Sequence, residues 1–242
     1  MKARKKRKFR KLYWLLVILA VASIPLVLLL YKPTHYDPPD FAHSKEVSPY
    51  LTHELLPQLY NGAQLEEPFD LVITQEGIND IVARSKWPKR SDGISFSAPE
   101  VLFVPGSIVL MGTASLKGVG FVITIVAEPR LDEEGLLNLR VAKVKVGAMN
   151  ITFLARAIVK RMYLERLVAK DADAVESKPP EATAAPSVGA ANGVDTGTQI
   201  AASLLNNEPF EPVFTVEDKK VRVKKITIMQ GKLTVRLAPA SG

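Results

Sequence analysis

From Leu12 to Tyr31 the chain runs for twenty residues without a charge. Coiled as a helix at about 1.5 Å per residue, that run reaches roughly 30 Å, the thickness of a bilayer's hydrocarbon core. It predicts a transmembrane helix over 12–31. Tyr13, Trp14 and Tyr31 stand at its ends, where amphipathic rings favour the membrane interface; Lys32 can extend its ammonium to water, and Pro25 is tolerated inside a span. A cleaved signal peptide competes with this reading, because Ala20-Val21-Ala22 supplies small residues after a short apolar run. The apolar stretch nevertheless continues to Leu30, well past that site.

Charge sets the expected orientation. The formal net charge is +7, and the first eleven residues hold eight of the 32 Lys and Arg and no acid, leaving 24 basic against 25 acidic residues in the rest. Basicity therefore belongs to a tail at 1–11, and the body offers no compositional argument for a nucleic-acid partner. Eight cations before the span against Lys32 after it predict a single-pass protein of the inner or plasma membrane, with a cytoplasmic N-terminus and an extracytoplasmic C-terminal domain. With no cysteine, that domain folds without disulfides.

Beyond the span, Pro33, Pro38 and Pro39 among polar residues predict a short, stiff stalk over 32–47, followed by an exported α+β domain over 48–238. Ser48-Pro49 opens a helix carrying Tyr50, Leu51, Leu55, Leu56 and Leu59; Pro57 ends or bends it and Asn61-Gly62 closes it. Phe69–Thr74 reads as a strand, and Thr74 caps a helix running to Trp87-Pro88. Between Gly93 and Gly147 the period changes to that of strands, punctuated by turn residues, which predicts four consecutive antiparallel strands. Further strands follow at Val213–Val216, Val221–Met229 and Leu233–Leu237, with Gln230-Gly231 as a hairpin turn. Ile151–Ala169 reads as an amphipathic helix, 170–197 as a disordered insertion of small residues, and Ile200–Leu205 as a short helical segment. The resulting fold class is a curved antiparallel sheet packed on amphipathic helices.

Two patterns in the strands bear on function. Phe121, Ile123 and Ile125 alternate with Val122 and Val126, so a sheet with one wet face does not explain the sequence. The apolar phase also slips, from Leu137, Leu139 and Val141 to Val144 and Val146, and from Val221 and Val223 to Ile226 and Ile228. Such slips mean either bulges or strands whose ends cover different surfaces.

Residues for catalysis or metal binding are scarce. His35, His43 and His53 all lie in or beside the stalk without zinc-type spacing, and Pro57 occupies the place of the second histidine after His53-Glu54. Gly118-Val119-Gly120 lacks the third glycine of a dinucleotide loop, and Glu66-Glu67 and Asp132-Glu133-Glu134 read as solvated turns. Asn150-Ile151-Thr152 matches a glycosylation tripeptide that is common by chance. The expectation is a non-enzymatic protein without cofactor or metal. The apolar excess is either a core covered by the chain's own helices or an apolar groove for a lipid or acyl chain. The candidate groove residues are Leu110, Phe121, Ile123, Ile125, Leu139, Val141, Leu154 and Ile158.

The order of basic tail, membrane helix and proline-rich stalk, followed by "LVITQEGINDIVARS", "ISFSAPEVLFVPGSIVLMGTASLKG", "LNLRVAKVKVGAMNIT" and "VEDKKVRVKKITIMQGKLTVRL", resembles the YpmS-like single-pass bacterial envelope proteins. More distantly it resembles the tubular lipid-binding superfamily with its SMP-like domains. The resemblance covers about Pro68 to Leu237. It implies a long curved antiparallel sheet around a helix and a protein that binds or moves lipids. It carries over no catalytic residue. The expected partners are thus the membrane, a lipid or acyl chain, and in the alternative class another envelope protein recruited by a structural or interaction component with no ligand.

Overall fold

The computed structural model describes residues 3–38, 47–85, 87–91, 93–155, 203 and 208–240. Helix α1 (Ala3–Leu30) begins well before Leu12, so the basic tail is helical and continuous with the apolar run, rather than a separate segment. Its Tyr13–Leu30 stretch has a mean hydropathy of 2.6 and no buried residue, which makes it long and apolar enough to cross a membrane.

The stalk is a correction to the sequence reading. The side chain of Tyr36 is buried against Met111 and Val122, its hydroxyl 2.8 Å from Thr113 Oγ1. Asp37 N–H donates to Glu100 Oε2 at 2.8 Å, and Lys32 Nζ stands 5.5 Å from the Tyr36 ring centroid. Here the apolar ring outweighs the polar, proline-rich composition around it, and Tyr36 within 32–38 is part of the domain's core, while 39–46 lie outside the described residues.

Ser48 Oγ accepts the Leu51 N–H at 3.2 Å, as expected of a cap. Pro57 neither ends the helix nor leaves it regular. A π-helical turn (Leu51–Leu55) precedes it, and α2 (Leu56–Gln64) restarts with the proline in its first turn, where a missing N–H costs nothing. Gly62 lies inside α2 instead of closing it, because a bare Cα there makes room for the Phe69 ring. Strand β1 (Phe69–Thr74) leads into α3 (Gln75–Ala83), whose Gly77 N–H is accepted by Thr74 Oγ1 at 3.1 Å. That helix stops at Ala83, short of Trp87, whose indole N–H instead returns to Val82 O at 2.8 Å.

The strands follow as β2 (Lys89–Ser91), β3 (Ile94–Val104), β4 (Ser107–Leu116), β5 (Val119–Leu131), β6 (Leu137–Val146), β7 (Met149–Asn150), β8 (Val213–Val216), β9 (Lys219–Met229) and β10 (Lys232–Pro239). They form two antiparallel sheets, β2-β3-β4-β5-β6-β7 and β1-β10-β9-β8, so the fold is α+β. The predicted four consecutive strands are β3 to β6. Residues 152–155 are helical, whereas the rest of the helix expected to 169, the insertion at 170–197 and all of 200–205 except Ser203 lie outside the described residues.

The smaller sheet has one dry face. Phe69, Leu71, Ile73, Leu233, Val235, Leu237, Val221, Val223, Ile226 and Ile228 share it, and Asp70, Lys225, Arg236 and Lys232 point the other way. Helix α2 covers one part of that face through Leu59 and Ala63. At another part Ile226, Ile228 and Leu233 meet Val101 and Phe103 of β3, closed by Ile78 and Val82 of α3. Helix α3 also stands in for a strand beside β3: Asn79 Oδ1 accepts the Val101 N–H at 2.7 Å, its Nδ2 donates to Val101 O at 2.9 Å, and Gln75 Oε1 accepts the Phe103 N–H at 3.0 Å.

Candidate functional site: the apolar face of the larger sheet

Antiparallel partners share a face, so the register decides which apolar residues meet. Leu110 pairs with Ile125, which pairs with Val144; Gly112 pairs with Ile123, which pairs with Val146; Ala114 pairs with Phe121. Ala127 pairs with Val141 and Pro129 with Leu139. Six of the candidate groove residues, Leu110, Phe121, Ile123, Ile125, Leu139 and Val141, therefore lie on one face.

This gathering depends on a bulge. Between Val126/Lys143 and Ala127/Val141 the strand β6 carries one extra residue, Ala142, and that residue absorbs the phase slip. Val144 and Val146 consequently join Leu137, Leu139 and Val141 instead of facing the opposite side. The same device operates in β9, where Lys224 is the extra residue and Val221, Val223, Ile226 and Ile228 all end on the dry face. Of the two readings the sequence left open, the bulge is the one realised.

The face is covered unevenly. Val101 and Phe103 are buried at the end that meets the smaller sheet, whereas Leu110 remains 36% exposed and Phe121, Ile123, Ile125, Leu139 and Val141 are half-buried. Leu154, beyond β7, is exposed beside Phe153, and Ile158 lies outside the described residues. Side-chain and backbone bonds occupy the outer edge of β6: Ser203 Oγ, fully buried, accepts the Leu139 N–H at 2.8 Å, Thr152 Oγ1 accepts the Val144 N–H at 2.8 Å, and the Phe210 backbone bridges that of Leu137. Thr152 of the glycosylation tripeptide thus serves the strand edge, with Asn150 Oδ1 accepting its N–H at 3.1 Å.

The opposite face, under Tyr36, holds Leu102, Val109, Met111 and Val122 and one buried acid, Glu100. Burial pushes the Glu100 carboxyl above the usual glutamate range and Asp37's charge adds to this; the hydrogen bond from Asp37 N–H and the Lys32 charge oppose it and do not prevail. At Asp80, burial is outweighed by the Ser48 hydroxyl and by the Arg84 guanidinium at 2.7 Å, and the carboxyl is held below its usual range. That pair ties the entry of the α2 region to α3.

No group of three or more His, Cys, Asp or Glu among the described residues is arranged to hold a metal ion. His53 Nδ1 is at 3.1 Å from Pro49 O on the helix surface, Glu66 and Glu67 are exposed, and Asp132 Oδ1 accepts the Glu134 and Leu136 N–H groups in its own turn. What the sequence reading missed is Tyr36, whose only sequence signal is an aromatic between Pro33 and Pro38.

Comparison with family models, with curated proteins and with solved structures returns no match. The resemblance to YpmS-like and SMP-like proteins rests on the sequence pattern alone.

Proposed function

We propose that this chain is a single-pass membrane protein, anchored by α1 with its basic end in the cytoplasm, whose extracytoplasmic domain binds a lipid or lipid-like chain on the apolar face of its larger sheet. The observation that carries this reading is the Ala142 bulge. It brings two out-of-phase apolar sets onto one face that is only partly covered, and a strand edge alone has no need of such alignment. An acyl chain laid along that face leaves water at about 0.8 kcal/mol per methylene. The eight basic residues ahead of the span favour the stated orientation.

The test uses the chain from Lys32 onward, since Tyr36 belongs to the domain, purified without detergent. Native mass spectrometry is expected to find co-purified lipid, and a fluorescent fatty acid is expected to bind. Ile123→Asp should weaken that binding at least tenfold, and Thr215→Asp, on the wet face of the smaller sheet, should leave it unchanged. Repeated absence of lipid together with no fatty-acid uptake would leave the alternative class, a component of an envelope complex without a ligand.

A further inference from the structure

The last turn of α1 is seated on the larger sheet. Ala148 N–H donates to Leu28 O at 2.8 Å, and Gly147, at φ +58°, lies so close to the Leu28 and Leu29 carbonyls that no Cβ fits there. Leu28 is two residues from the end of the Tyr13–Leu30 apolar stretch, about 3 Å along the axis. If that stretch spans a bilayer, the β6–β7 turn at 147–148 is at its surface, and the headgroup layer outside the hydrocarbon is itself about 5–8 Å thick.

The β2–β3 and β4–β5 turns are at the same end of the sheet as the β6–β7 turn, because Gly147 N–H bonds to Val122 O at 2.7 Å and Val119 opens β5 three residues earlier. Three residues of strand are about 10 Å. This end is amphipathic. Phe96, Leu116 and Val119 are exposed on one face, Val119 by 51%, and Phe153 beyond β7 is 89% exposed. On the other side a cleft of about 420 Å³ is lined by Arg90, Lys117, Ser95 and Ser115, two cations and two hydroxyls with no acid among the described lining residues. Lys117 and Gly118 both take positive φ, 51° and 84°, in a two-residue turn whose twist matches its strands.

We infer that this turn-bearing end of the larger sheet docks on the leaflet from which α1 emerges, with Leu116 and Val119 entering the acyl boundary and Arg90 and Lys117 holding the phosphate of an anionic lipid headgroup. The combination is that of interfacial elements, with an apolar side against the hydrocarbon and cations at phosphate level. Docking presents the apolar face of the sheet directly to the bilayer. The inference rests on α1 as a span and is independent of whether that face holds a ligand.

The natural chain has no cysteine, so single-cysteine variants of the full chain each carry one nitroxide label. Labels at Leu19→Cys, Val119→Cys and Thr215→Cys are compared in bilayers of phosphatidylcholine with and without phosphatidylglycerol, with oxygen as the lipid-soluble and a nickel chelate as the water-soluble collision partner. The Val119 label is expected to favour oxygen, as Leu19 does, and Thr215 to favour the chelate several-fold. Adding Arg90→Ala and Lys117→Ala should move the Val119 label several-fold toward the chelate in the phosphatidylglycerol bilayers only. A Leu19 label in lipid with a Val119 label as wet as Thr215 overturns the docking alone; a wet Leu19 label overturns the span. An unchanged Val119 label in the double variant overturns the headgroup contact.

Discussion

Glu100 shows how one residue couples the segment after α1 to the sheet. Its carboxyl, buried beneath Asp37, has a folded-state pKa above the ordinary value, so the native state holds this proton more tightly than the unfolded chain. Its contribution is fully present in acid, declines as pH rises from the ordinary glutamate range through the raised folded value, and is flat above it. Glu100→Gln retains an acceptor for Asp37 N–H and removes the buried charge. We expect the variant to be more stable than the natural chain near neutral pH and the two to converge in acid, as read by urea unfolding across about pH 4 to 8. Gly77 is a second such residue. Its Cα lies under the Tyr50 ring, whose hydroxyl accepts the Thr74 N–H at 3.0 Å and donates to Val72 O at 3.4 Å, so the ring cannot step aside without losing both bonds. Gly77→Ala gains about 1 kcal/mol of helix propensity. It loses about 1–3 kcal/mol to overpacking and more to the broken bonds, so thermal unfolding is expected at a lower temperature.

At the scale of elements, the bulges decide which apolar residues act together. Deleting Ala142 would make Val141 and Lys143 consecutive opposite Ala127 and Val126, giving an unbroken ladder in which Val144 and Val146 stay on the face of Leu137, Leu139 and Val141. The expected cost is therefore only about 1 kcal/mol in urea unfolding, with the cooperative transition kept; loss of that transition would mean that the twist of the bulge itself, rather than the alignment of faces, holds the sheet. The element scale is also where the sequence is most legible. Caps at Ser48 and Thr74, the turns at Pro105-Gly106 and Gln230-Gly231 and the run β3 to β6 are written locally, because each depends on side chains a few residues apart. The phase slips signal irregular strands, but whether a slip flips a face depends on the partner strand, which local sequence does not contain. The pairing of β1 with β10 and the clasp of Asn79 on β3 join residues far apart in the chain, and no periodicity encodes them. Six candidate groove residues meet on one face for the same reason that the reading could not decide between faces: register is set between strands.

Across the whole molecule, the composition at 32–47 points to a spacer, while the structure makes Tyr36 part of the core and so joins α1 to the sheet twice, at Ala148 and at Tyr36. A flexible stalk would let the domain turn freely above the bilayer. Two seats within eight residues hold the sheet's turn-bearing end in one orientation to the helix axis. Tyr36→Ala removes the ring that covers Met111 and Val122 and leaves Thr113 Oγ1 without the phenol. The expected cost is about 3 kcal/mol, measured by denaturant unfolding of the chain from Lys32 onward. Tyr36→Phe keeps the ring and loses one hydrogen bond, about 1 kcal/mol. In the full chain the Ala variant should also become more susceptible to protease within 33–38, because both Asp37 N–H and Tyr36 then lose their hold on the sheet. If Tyr36→Ala leaves both stability and cleavage unchanged, the segment is a spacer after all, and the orientation of the sheet to α1 depends on the 147–148 seat alone.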